Sequence, residues 1–517
     1  MTKKTIVLTG FVLAKFILQY ILVNPEYELQ RDEFLHLDQA NHLAWGYISV
    51  PPVTSWISGI IAFLGNSIFW VRFFPALFGA ITLLLVWKAT EALKGNMFAL
   101  VLGATCILFS ALLRLNILHQ PNSLDVLCWT AFSFILIKYA DSENPKWFYP
   151  GMVILAVGFL NKYNIVFLAA ALFPALLLHR RSILTGKHFY YSIALFLLLI
   201  LPNLVWQYNN NFPVYHHMKL LTKTQLINVN RWDFLKDQLL FFTGALFVIA
   251  ASFYALLFYA PFKKYRFFFY TFWFTLIIFI LLKAKSYYAI GLYPIYIAFG
   301  AAYLQTILNA GWKRYLQPMA IIIPVLFFIP MYQLMFPNKS PEYIMNHPGK
   351  YKKYGLLRWE DGKDHVLPQD YADMLGWKEL AATIDSVYTT LPAAGQTLIL
   401  CDNYGQAGAI NYYTKNKNIT ANSFNADYIN WFNLEKKYVN LIRVKELQSK
   451  DNELKETGPF FHKSYMAGSV TNKFARESGT VIFVFENTKV DINQRIKEEI
   501  NNAKTYFQSD AASAEKQ

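Results

Sequence analysis

The sequence is poor in charged residues and in cysteine. Only 16% of its 517 residues are charged, whereas a soluble domain usually carries about 25%. The three cysteines, Cys106, Cys128 and Cys401, show neither a disulfide framework nor metal-ligand spacing. A glycine-rich phosphate loop and an internal repeat are also missing. These absences argue against a wholly soluble chain, a disulfide-rich scaffold and a repeat architecture.

What the sequence does contain is apolar residues in long blocks. Hydrophobic residues make up 55% of the chain, and most of them lie before residue 337 in blocks of roughly 17 to 25 residues, the length that crosses a bilayer. A shorter apolar stretch, 53–64, predicts a helix at the membrane interface. The predicted spans are 5–23, 68–92, 96–116, 124–140, 147–161, 163–179, 188–206, 237–260, 266–283, 287–308 and 316–336. We therefore expect a polytopic α-helical membrane protein with about eleven transmembrane helices.

The basic residues predict the orientation of these helices. With the N-terminus inside, alternating helices place every basic cluster of the short loops on one side. These clusters are Lys3 and Lys4, Lys88 and Lys94, Lys138 and Lys146, Arg180, Arg181 and Lys187, Lys263, Lys264 and Arg266, and Lys313 and Arg314. The N-terminal stretch lacks a cleavage site, so it predicts a retained first helix and not a signal peptide. The expected location is the cytoplasmic (inner) membrane, with loops 24–66 and 207–236 and the C-terminal region outside. The net charge of +15 accompanies no base-reading chemistry, so no nucleic-acid partner is expected.

The chain becomes polar after residue 336, which predicts a second domain. Residues 1–336 form the predicted transmembrane domain and 337–504 a small soluble α/β domain, followed by a disordered tail at 505–517. Hydrophobic patterning predicts helices at 376–388 and 407–413 and strands at 397–400 and 480–485.

An unusual group of charges follows the first helix. Arg31, Asp32 and Glu33 stand together in the first outer loop. A carboxylate at the water–lipid boundary is suited to act as a general base on an acceptor hydroxyl, and a neighbouring guanidinium is suited to bind phosphate. The alternative is an ordinary solvated loop whose charges stay out of the membrane.

Several motifs in the chain resemble those of family 39 glycosyltransferases. This family includes protein O-mannosyltransferases and the aminoarabinose transferases that modify lipid A. The resemblance is carried by Arg31-Asp32-Glu33 with His42-Leu43-Ala44-Trp45-Gly46-Tyr47 and Pro51-Pro52, by Gly158–Tyr163, by Leu201–Gln207 with Phe212-Pro213, by Lys285–Tyr288 with Tyr293-Pro294, and by Asp402–Ala409. The first-loop motif is fairly specific to the family. The other motifs are individually weak and support the resemblance jointly.

The resemblance implies the C-type glycosyltransferase fold and a reaction. Such enzymes move a sugar from a polyprenyl-phosphate donor on the outer face of the membrane and invert the anomeric carbon. The family's catalytic base corresponds to Asp32, and Glu33 would orient the acceptor or hold local structure. The expected partners are the lipid-linked donor, membrane lipids, and a lipid, glycan or protein acceptor; no cofactor is expected.

Further candidate substrate-binding residues lie at the predicted outer ends of helices. Arg31, Lys162, Lys283 and Lys285 are cations at the level of a lipid phosphate, although lysines also extend to the interface for purely structural reasons. Asp125 is either a helix N-terminal charge or a substrate contact. His216 and His217 are either surface histidines or phosphate contacts, and Tyr287 and Tyr288 are either interfacial aromatics or donor contacts.

Two further expectations concern metals and other functions. Many relatives place a polar or charged pair before the double proline, where an acidic residue helps to hold a metal, whereas this chain has Ser49 and Val50. We therefore expect no metal site.

A transporter or flippase of a lipid-linked saccharide is the main alternative function, but the charges gather at the outer boundary and no repeat is found. A degenerate family member acting as a scaffold is a third hypothesis, which the presence of both Asp32 and Glu33 disfavours.

Overall fold

A computed structural model of the chain describes residues 2–392, 396–446 and 452–502. The tail at 505–517, for which the sequence predicts disorder, lies outside these residues.

Helices form at each predicted apolar span, because backbone polar groups in a bilayer must be paired within the segment. The helices before residue 337 are α1 Lys3–Ile21, α2 Arg31–Asp38, α3 Val53–Phe63, α4 Ile68–Ala92, α5 Met97–Leu108, α6 Leu112–Leu115, α7 Pro121–Ser142, α8 Phe148–Asn161, α9 Ile165–His179, α10 Lys187–Asn209, α11 Pro213–Thr224, α12 Arg231–Leu240, α13 Leu246–Phe258, α14 Arg266–Leu281, α15 Tyr293–Leu308 and α16 Gln317–Leu334.

The number of full-length spans is smaller than the eleven predicted. Within the described residues, seven helices are long and apolar enough to cross a membrane, some of them counted with an adjoining 3-10 turn. The helices α12 and α13, bent by 65°, would together form an eighth span. The helices α5, α8 and α9 have 12, 14 and 15 residues. At 1.5 Å per residue they are shorter than a hydrocarbon core of about 30 Å. The helical membrane architecture is confirmed, and α5, α8 and α9 are shorter than the seven helices that are long enough to cross.

The two predicted outer loops contain helices of their own. The segment 24–66 forms α2 and α3, and the segment 207–236 contains α11 and the beginning of α12. The helix α3 was predicted at 53–64 and is present. The helix α2 was not predicted, and it carries Asp32 and Glu33.

The part of the chain after residue 337, which we call the C-terminal domain, is built around a sheet. Its helices are α17 Pro341–Asn346, α18 Pro348–Lys352, α19 Gln369–Ala372, α20 Trp377–Thr390, α21 Tyr404–Tyr413 and α22 Glu453–Glu456, and a further helix covers 492–502. Its strands are β1 Thr397–Cys401, β2 Ala421–Ser423, β3 Asn440–Lys445, β4 Phe461–Ser469 and β5 Val481–Thr488. The two helices and two strands predicted from the sequence are confirmed, as is the α/β class.

The sheet has the order β2-β1-β3-β5-β4. The strand β1 runs parallel to β2 and β3, so that Ile399 pairs with both Ala421 and Ile442. The strands β3, β5 and β4 are antiparallel neighbours. Alternate residues of each strand point to opposite faces. One face packs on α20 and α21, and the other packs on the helix at 492–502.

The first-loop helix α2 belongs to the hydrophobic core of the C-terminal domain. Phe34 is fully buried and its ring contacts Trp377 edge-on at 5.6 Å. Backbone hydrogen bonds join the same segments, since the Glu28 amide donates to the Met374 carbonyl at 2.8 Å and the Arg31 amide donates to the Asp373 carbonyl at 3.1 Å. The position of Asp32 is therefore set jointly by the first loop and the C-terminal domain.

Candidate active site

Glu33 fixes the start of α2. Its side chain accepts a hydrogen bond from the Gln30 amide at 2.7 Å, while the Gln30 side chain accepts one from the Asp32 amide, which together form a capping box. The other Glu33 oxygen accepts from the His119 amide at 2.7 Å. Burial raises the pKa of Glu33, and the charge of Arg72 acts in the opposite direction. Because the Glu33 side chain is fully buried, these hydrogen bonds favour a role in holding local structure and disfavour contact with an acceptor.

Asp32 lies beside Glu33 but has different partners. One oxygen, Oδ1, accepts a hydrogen bond from the Tyr404 hydroxyl at 2.6 Å, and Oδ2 accepts one from Gln120 Nε2 at 3.1 Å. Each carboxylate oxygen has about two lone-pair sites, so each retains acceptor capacity. The Asp32 carboxylate is thus oriented from two sides and still able to accept a proton.

A continuous chain of hydrogen bonds connects Asp32 to Lys162. From Gln120, which donates to Asp32, the chain continues through Asn122, whose Nδ2 donates to Gln120 Oε1 at 3.0 Å. Lys162 Nζ in turn donates to Asn122 Oδ1 at 2.8 Å. The two amides stand at the start of α7, and Lys162 follows the last residue of α8. The predicted base and one predicted cation therefore belong to one polar cluster.

Arg31 extends this cluster toward the C-terminal domain. Its guanidinium stacks over the Tyr404 ring, 4.4 Å from the centroid. Among the described residues, the Nε of Arg31 is buried and has no hydrogen-bond partner. This side chain therefore holds a cation beside Asp32.

Tyr287 and Tyr288 lie against Lys162, one of the cations of this cluster. Lys162 Nζ stands over both rings, 5.1 Å from the centroid of Tyr287 and 4.3 Å from that of Tyr288. Tyr287 is also within electrostatic range of the Asp32 and Glu360 carboxylates. The tyrosines thus contact one of the predicted cations directly.

Lys285 and the two histidines of α11 each have different neighbours. Lys285 Nζ forms an ion pair with Glu360 at 3.0 Å. Burial lowers the pKa of His217, and the nearby charge of Lys285 lowers it further. His216 contacts the ring of its neighbour Tyr215 edge-on at 5.6 Å. The structure brings His217 close to Lys285, whereas His216 has a local contact on α11.

Asp125 supports the cluster from inside the helical bundle. It is 4% exposed and accepts hydrogen bonds from Trp129 Nε1 at 2.9 Å and from Asn164 Nδ2 at 3.1 Å. Asn164 also donates to the Tyr288 carbonyl at 3.0 Å. This placement, beyond the first turn of α7, favours a supporting role beneath Tyr288.

Several members of the cluster were not predicted as site residues. They are Gln120, Asn122, Asn164, Glu360 and Tyr404. Tyr404 lies inside the Asp402–Ala409 motif, and that motif was the available signal for it. The uncharged amides gave no signal of this kind.

The residues near the site do not fit a metal ion. No group of three or more His, Cys, Asp or Glu side chains with metal-binding geometry occurs in the described part of the chain. Both Glu33 oxygens are engaged by backbone amides. The expected absence of a metal requirement stays a prediction.

Comparisons with known proteins find this fold in solved membrane proteins. The family model for dolichyl-phosphate-mannose-protein mannosyltransferases matches residues 49–206. ArnT from Cupriavidus metallidurans, solved with bound undecaprenyl phosphate, has a TM-score of 0.60 at 12% identity, over 93% of this chain and 98% of that one. Its structure in the apo state gives a TM-score of 0.59 over the same shares.

A curated protein also resembles part of the chain. The lipid A galacturonosyltransferase RgtD from Rhizobium johnstonii is 23% identical over 241 residues, 44% of this chain. The alignment spans 50% of that relative's length. These comparisons confirm the resemblance to family 39 and the C-type glycosyltransferase fold, and the chain is a multi-pass membrane protein.

Proposed function

We propose that this protein is an inverting glycosyltransferase that moves a sugar from a polyprenyl-phosphate donor to an acceptor hydroxyl, with Asp32 as the general base. The observation that carries the proposal is the hydrogen-bond chain from Asp32 through Gln120 and Asn122 to Lys162. It links a carboxylate with free acceptor capacity to a cation, the two charges that a single displacement at a sugar phosphate requires.

The reaction forms one bond and breaks another. The acceptor oxygen attacks the anomeric carbon from the face opposite the phosphate, and the carbon–oxygen bond to the phosphate breaks with its electron pair passing to the phosphate oxygen. The acceptor's proton passes to the Asp32 carboxylate. Because attack and departure occur on opposite faces, the anomeric configuration inverts. A phosphate leaves as an anion, so the step needs no general acid.

Cations would stabilise the departing polyprenyl phosphate. Lys162 is held by Asn122 and the tyrosine rings, and Arg31 lies beside Asp32 with its guanidinium over the Tyr404 ring. Charge-assisted contacts of this kind strengthen as negative charge develops on the leaving oxygen. Lys285 is the third candidate, although Glu360 now neutralises it.

The similar proteins support this chemistry. The ArnT structure contains undecaprenyl phosphate, a lipid phosphate of the proposed class. RgtD is named as a glycosyltransferase of lipid A. We extend to this chain the donor class alone and leave lipid, glycan and protein acceptors open.

A transporter is the less favoured function. One buried lysine does lie within a membrane helix, because Lys15 is 3% exposed in α1. Its ammonium donates to Gln19 at 2.6 Å and to Asn116 at 2.9 Å. These two partners are neutral amides, whereas an ion-coupled carrier typically pairs such groups with other charges. Lys15 therefore ties α1 to the segment before α7.

We further propose that the N-terminus is inside the cytoplasmic membrane and that the site and the C-terminal domain are outside. The basic clusters of the short loops support this orientation. A cysteine placed at the exposed Lys437, on a cysteine-free background, would react with a membrane-impermeant maleimide in intact spheroplasts if the domain is outside. Protection until the membrane is opened would reverse the orientation and remove the site from the proposed donor.

The test of function replaces Asp32 by Asn in the native host, with Asp233→Asn as the matched control. Asp233 is an exposed carboxylate on α12 that pairs with Lys236. We expect D32N to abolish one glycoconjugate and to accumulate one polyprenyl-phosphate sugar, both detected by mass spectrometry, whereas D233N leaves both unchanged. A normally folded D32N protein with unchanged glycoconjugates and lipid donors would refute the assignment.

A further inference from the structure

The C-terminal domain places one side chain directly on the proposed base. The Tyr404 hydroxyl donates to Asp32 Oδ1 at 2.6 Å, and the face of its ring lies under the Arg31 guanidinium at 4.4 Å. We propose that Tyr404 is a positioning residue through which the C-terminal domain holds both Asp32 and Arg31 in their working geometry. The proposal rests on the function proposed above, in which Asp32 is the base.

The start of α21 is built to hold Tyr404 in this place. Asn403 caps the helix by accepting a hydrogen bond from the Gln406 amide at 3.0 Å. The Asn403 and Gln406 side chains both donate to the buried carboxylate of Glu477, at 3.2 Å and 2.6 Å. Tyr404 is the first residue of the helix, so this buried network fixes its direction.

Two glycines let α21 approach α2 closely. A β-carbon at Gly405 would come 2.5 Å from Arg31 Cγ, and one at Gly408 would come 2.8 Å from Phe34 Cβ. Spaced three residues apart, they lie on the same side of α21. With larger residues there, the tyrosine could not keep its contacts with both Arg31 and Asp32. The glycines of the Asp402–Ala409 motif thus serve the contact between Tyr404 and the site.

The tyrosine hydroxyl is suited to donate and not to ionise. Burial raises the pKa of Tyr404 well above its usual range, and the negative charge of Asp32 raises it further. A phenol that donates to a carboxylate forms a charge-assisted hydrogen bond, which is stronger than a neutral one. With Gln120 on the other oxygen, Tyr404 fixes the carboxylate plane and leaves it acceptor capacity for the incoming hydroxyl.

The charged and titratable groups around Asp32 come from several elements. Those within electrostatic range are Arg31, Glu33 and His36 on α2, Tyr287 before α15, Asp373 after α19, and Tyr404. Replacing Tyr404 by Phe removes one donor from this set and leaves the others, together with the ring under Arg31. The effect of the single hydrogen bond can therefore be isolated.

The first measurement compares Y404F with Y412F in the purified full-length protein. Tyr412 lies on the same helix, and its hydroxyl donates to the Asn66 carbonyl at 2.7 Å, away from Asp32. We expect Y404F to lower kcat by about tenfold or more, the usual weight of a hydrogen bond to a charged group, with little change in the donor KM. The Y412F variant should keep both constants.

The second measurement does not require activity. A carbodiimide couples to carboxyl groups, and the rate at which Asp32 is modified at one fixed pH can be followed by peptide mass spectrometry. Without the Tyr404 donor, Asp32 Oδ1 loses its hydrogen bond at 2.6 Å and the carboxylate is held from the Gln120 side alone. Asp32 should therefore be modified severalfold faster in Y404F than in the wild type, with no change in Y412F.

The outcomes separate this inference from the function on which it rests. A Y404F protein with wild-type kcat and an unchanged rate of Asp32 modification would refute the role of Tyr404 even if D32N is inactive. A D32N protein that retains glycosyltransfer would refute the proposed function, while the carbodiimide result would still report whether Tyr404 holds the carboxylate.

Discussion

Gly408 lies directly against Phe34, so that a β-carbon on the glycine would come 2.8 Å from the Phe34 β-carbon and 3.1 Å from its carbonyl carbon. Phe34 follows Glu33 on α2 and is fully buried. The helices α2 and α21 can therefore pack closely only because position 408 lacks a side chain. This contact joins the first outer loop to the C-terminal domain, although the two segments are more than 370 positions apart in the sequence.

We predict that Gly408→Val weakens this contact. Overpacking a tight interface costs about 1 to 3 kcal/mol, so the temperature of half-unfolding, measured in detergent, should fall by several degrees. Gly349→Val is the matched control, because a β-carbon there has no atom within 4 Å. Equal unfolding temperatures for the two variants would contradict the close packing of α2 on α21.

A second prediction concerns Lys162 and the donor. Lys162→Met keeps the apolar stem but removes the charge that lies over Tyr288 and beside Asn122. Losing a charge-assisted phosphate contact should raise the donor KM by about tenfold or more, with a smaller change in the acceptor KM.

The control for Lys162 is Lys146→Met, at an exposed position of a predicted inner loop. Both constants should stay at the wild-type value in this control. A Lys162→Met enzyme whose donor KM is unchanged would remove this residue from the phosphate site and leave Arg31 and Lys285 as the remaining candidates.

Much of the fold follows from local patterns in the sequence. The long apolar helices, the helices α20 and α21 and the strands β1 and β5 were predicted because apolar blocks and alternation are local signals. The strands β2, β3 and β4 were missed. Ala421–Ser423 and Phe461–Ser469 carry little of the alternation that marks a half-buried strand, whereas β3 was missed although Leu441, Ile442 and Val444 are apolar. The bounds of α8 and α9 were predicted to within two residues, whereas the predicted span 96–116 divides into α5 and α6.

The site was predicted where charge or a family-like motif marked it. Asp32, Arg31 and Lys162 were recognised as ionisable groups near the membrane boundary, and the structure brings them into one cluster. The residues that join them, Gln120 and Asn122, are neutral amides whose role depends on contacts between distant segments. Such contacts depend on tertiary packing, which a single sequence does not specify.

A third prediction separates the two members of the Lys285–Glu360 pair. Although burial acts in the opposite direction, Lys285 holds the pKa of Glu360 below its usual range, so the carboxylate is ionised at neutral pH. If Lys285 binds the donor phosphate, Glu360 competes with that phosphate for the ammonium. Lys285→Met should then raise the donor KM, whereas Glu360→Gln should lower it severalfold, most clearly at low salt.

The control for this pair is Asp361→Asn, which changes the neighbouring carboxylate that pairs with His365 at 2.9 Å. It should leave the donor KM unchanged. If Lys285→Met and Glu360→Gln change the KM in the same direction, the pair stabilises the fold between the membrane helices and the C-terminal domain and does not bind the donor.

The last prediction uses Asp427, which anchors the first outer loop to the C-terminal domain. Its carboxyl oxygens accept hydrogen bonds from the Ile48 amide at 2.8 Å and from Gln39 Nε2 at 2.9 Å. Burial raises the pKa of Asp427 to about 6, above the value of about 3.9 in an unfolded chain. Because the carboxyl binds its proton more tightly in the folded protein than in the unfolded chain, protonation favours the folded state. This contribution to stability is complete below about pH 4 and is lost as the pH rises through 6.

Between pH 5 and pH 7 the free energy of unfolding of the wild-type protein should therefore fall by about 1 kcal/mol because of Asp427, and Asp427→Asn should lack this part of the pH dependence. Unfolding temperatures across this range, with Glu435→Gln as the exposed control, measure the difference. Identical pH slopes for Asp427→Asn and the wild type would show that this carboxyl does not couple protonation to the anchoring of the loop.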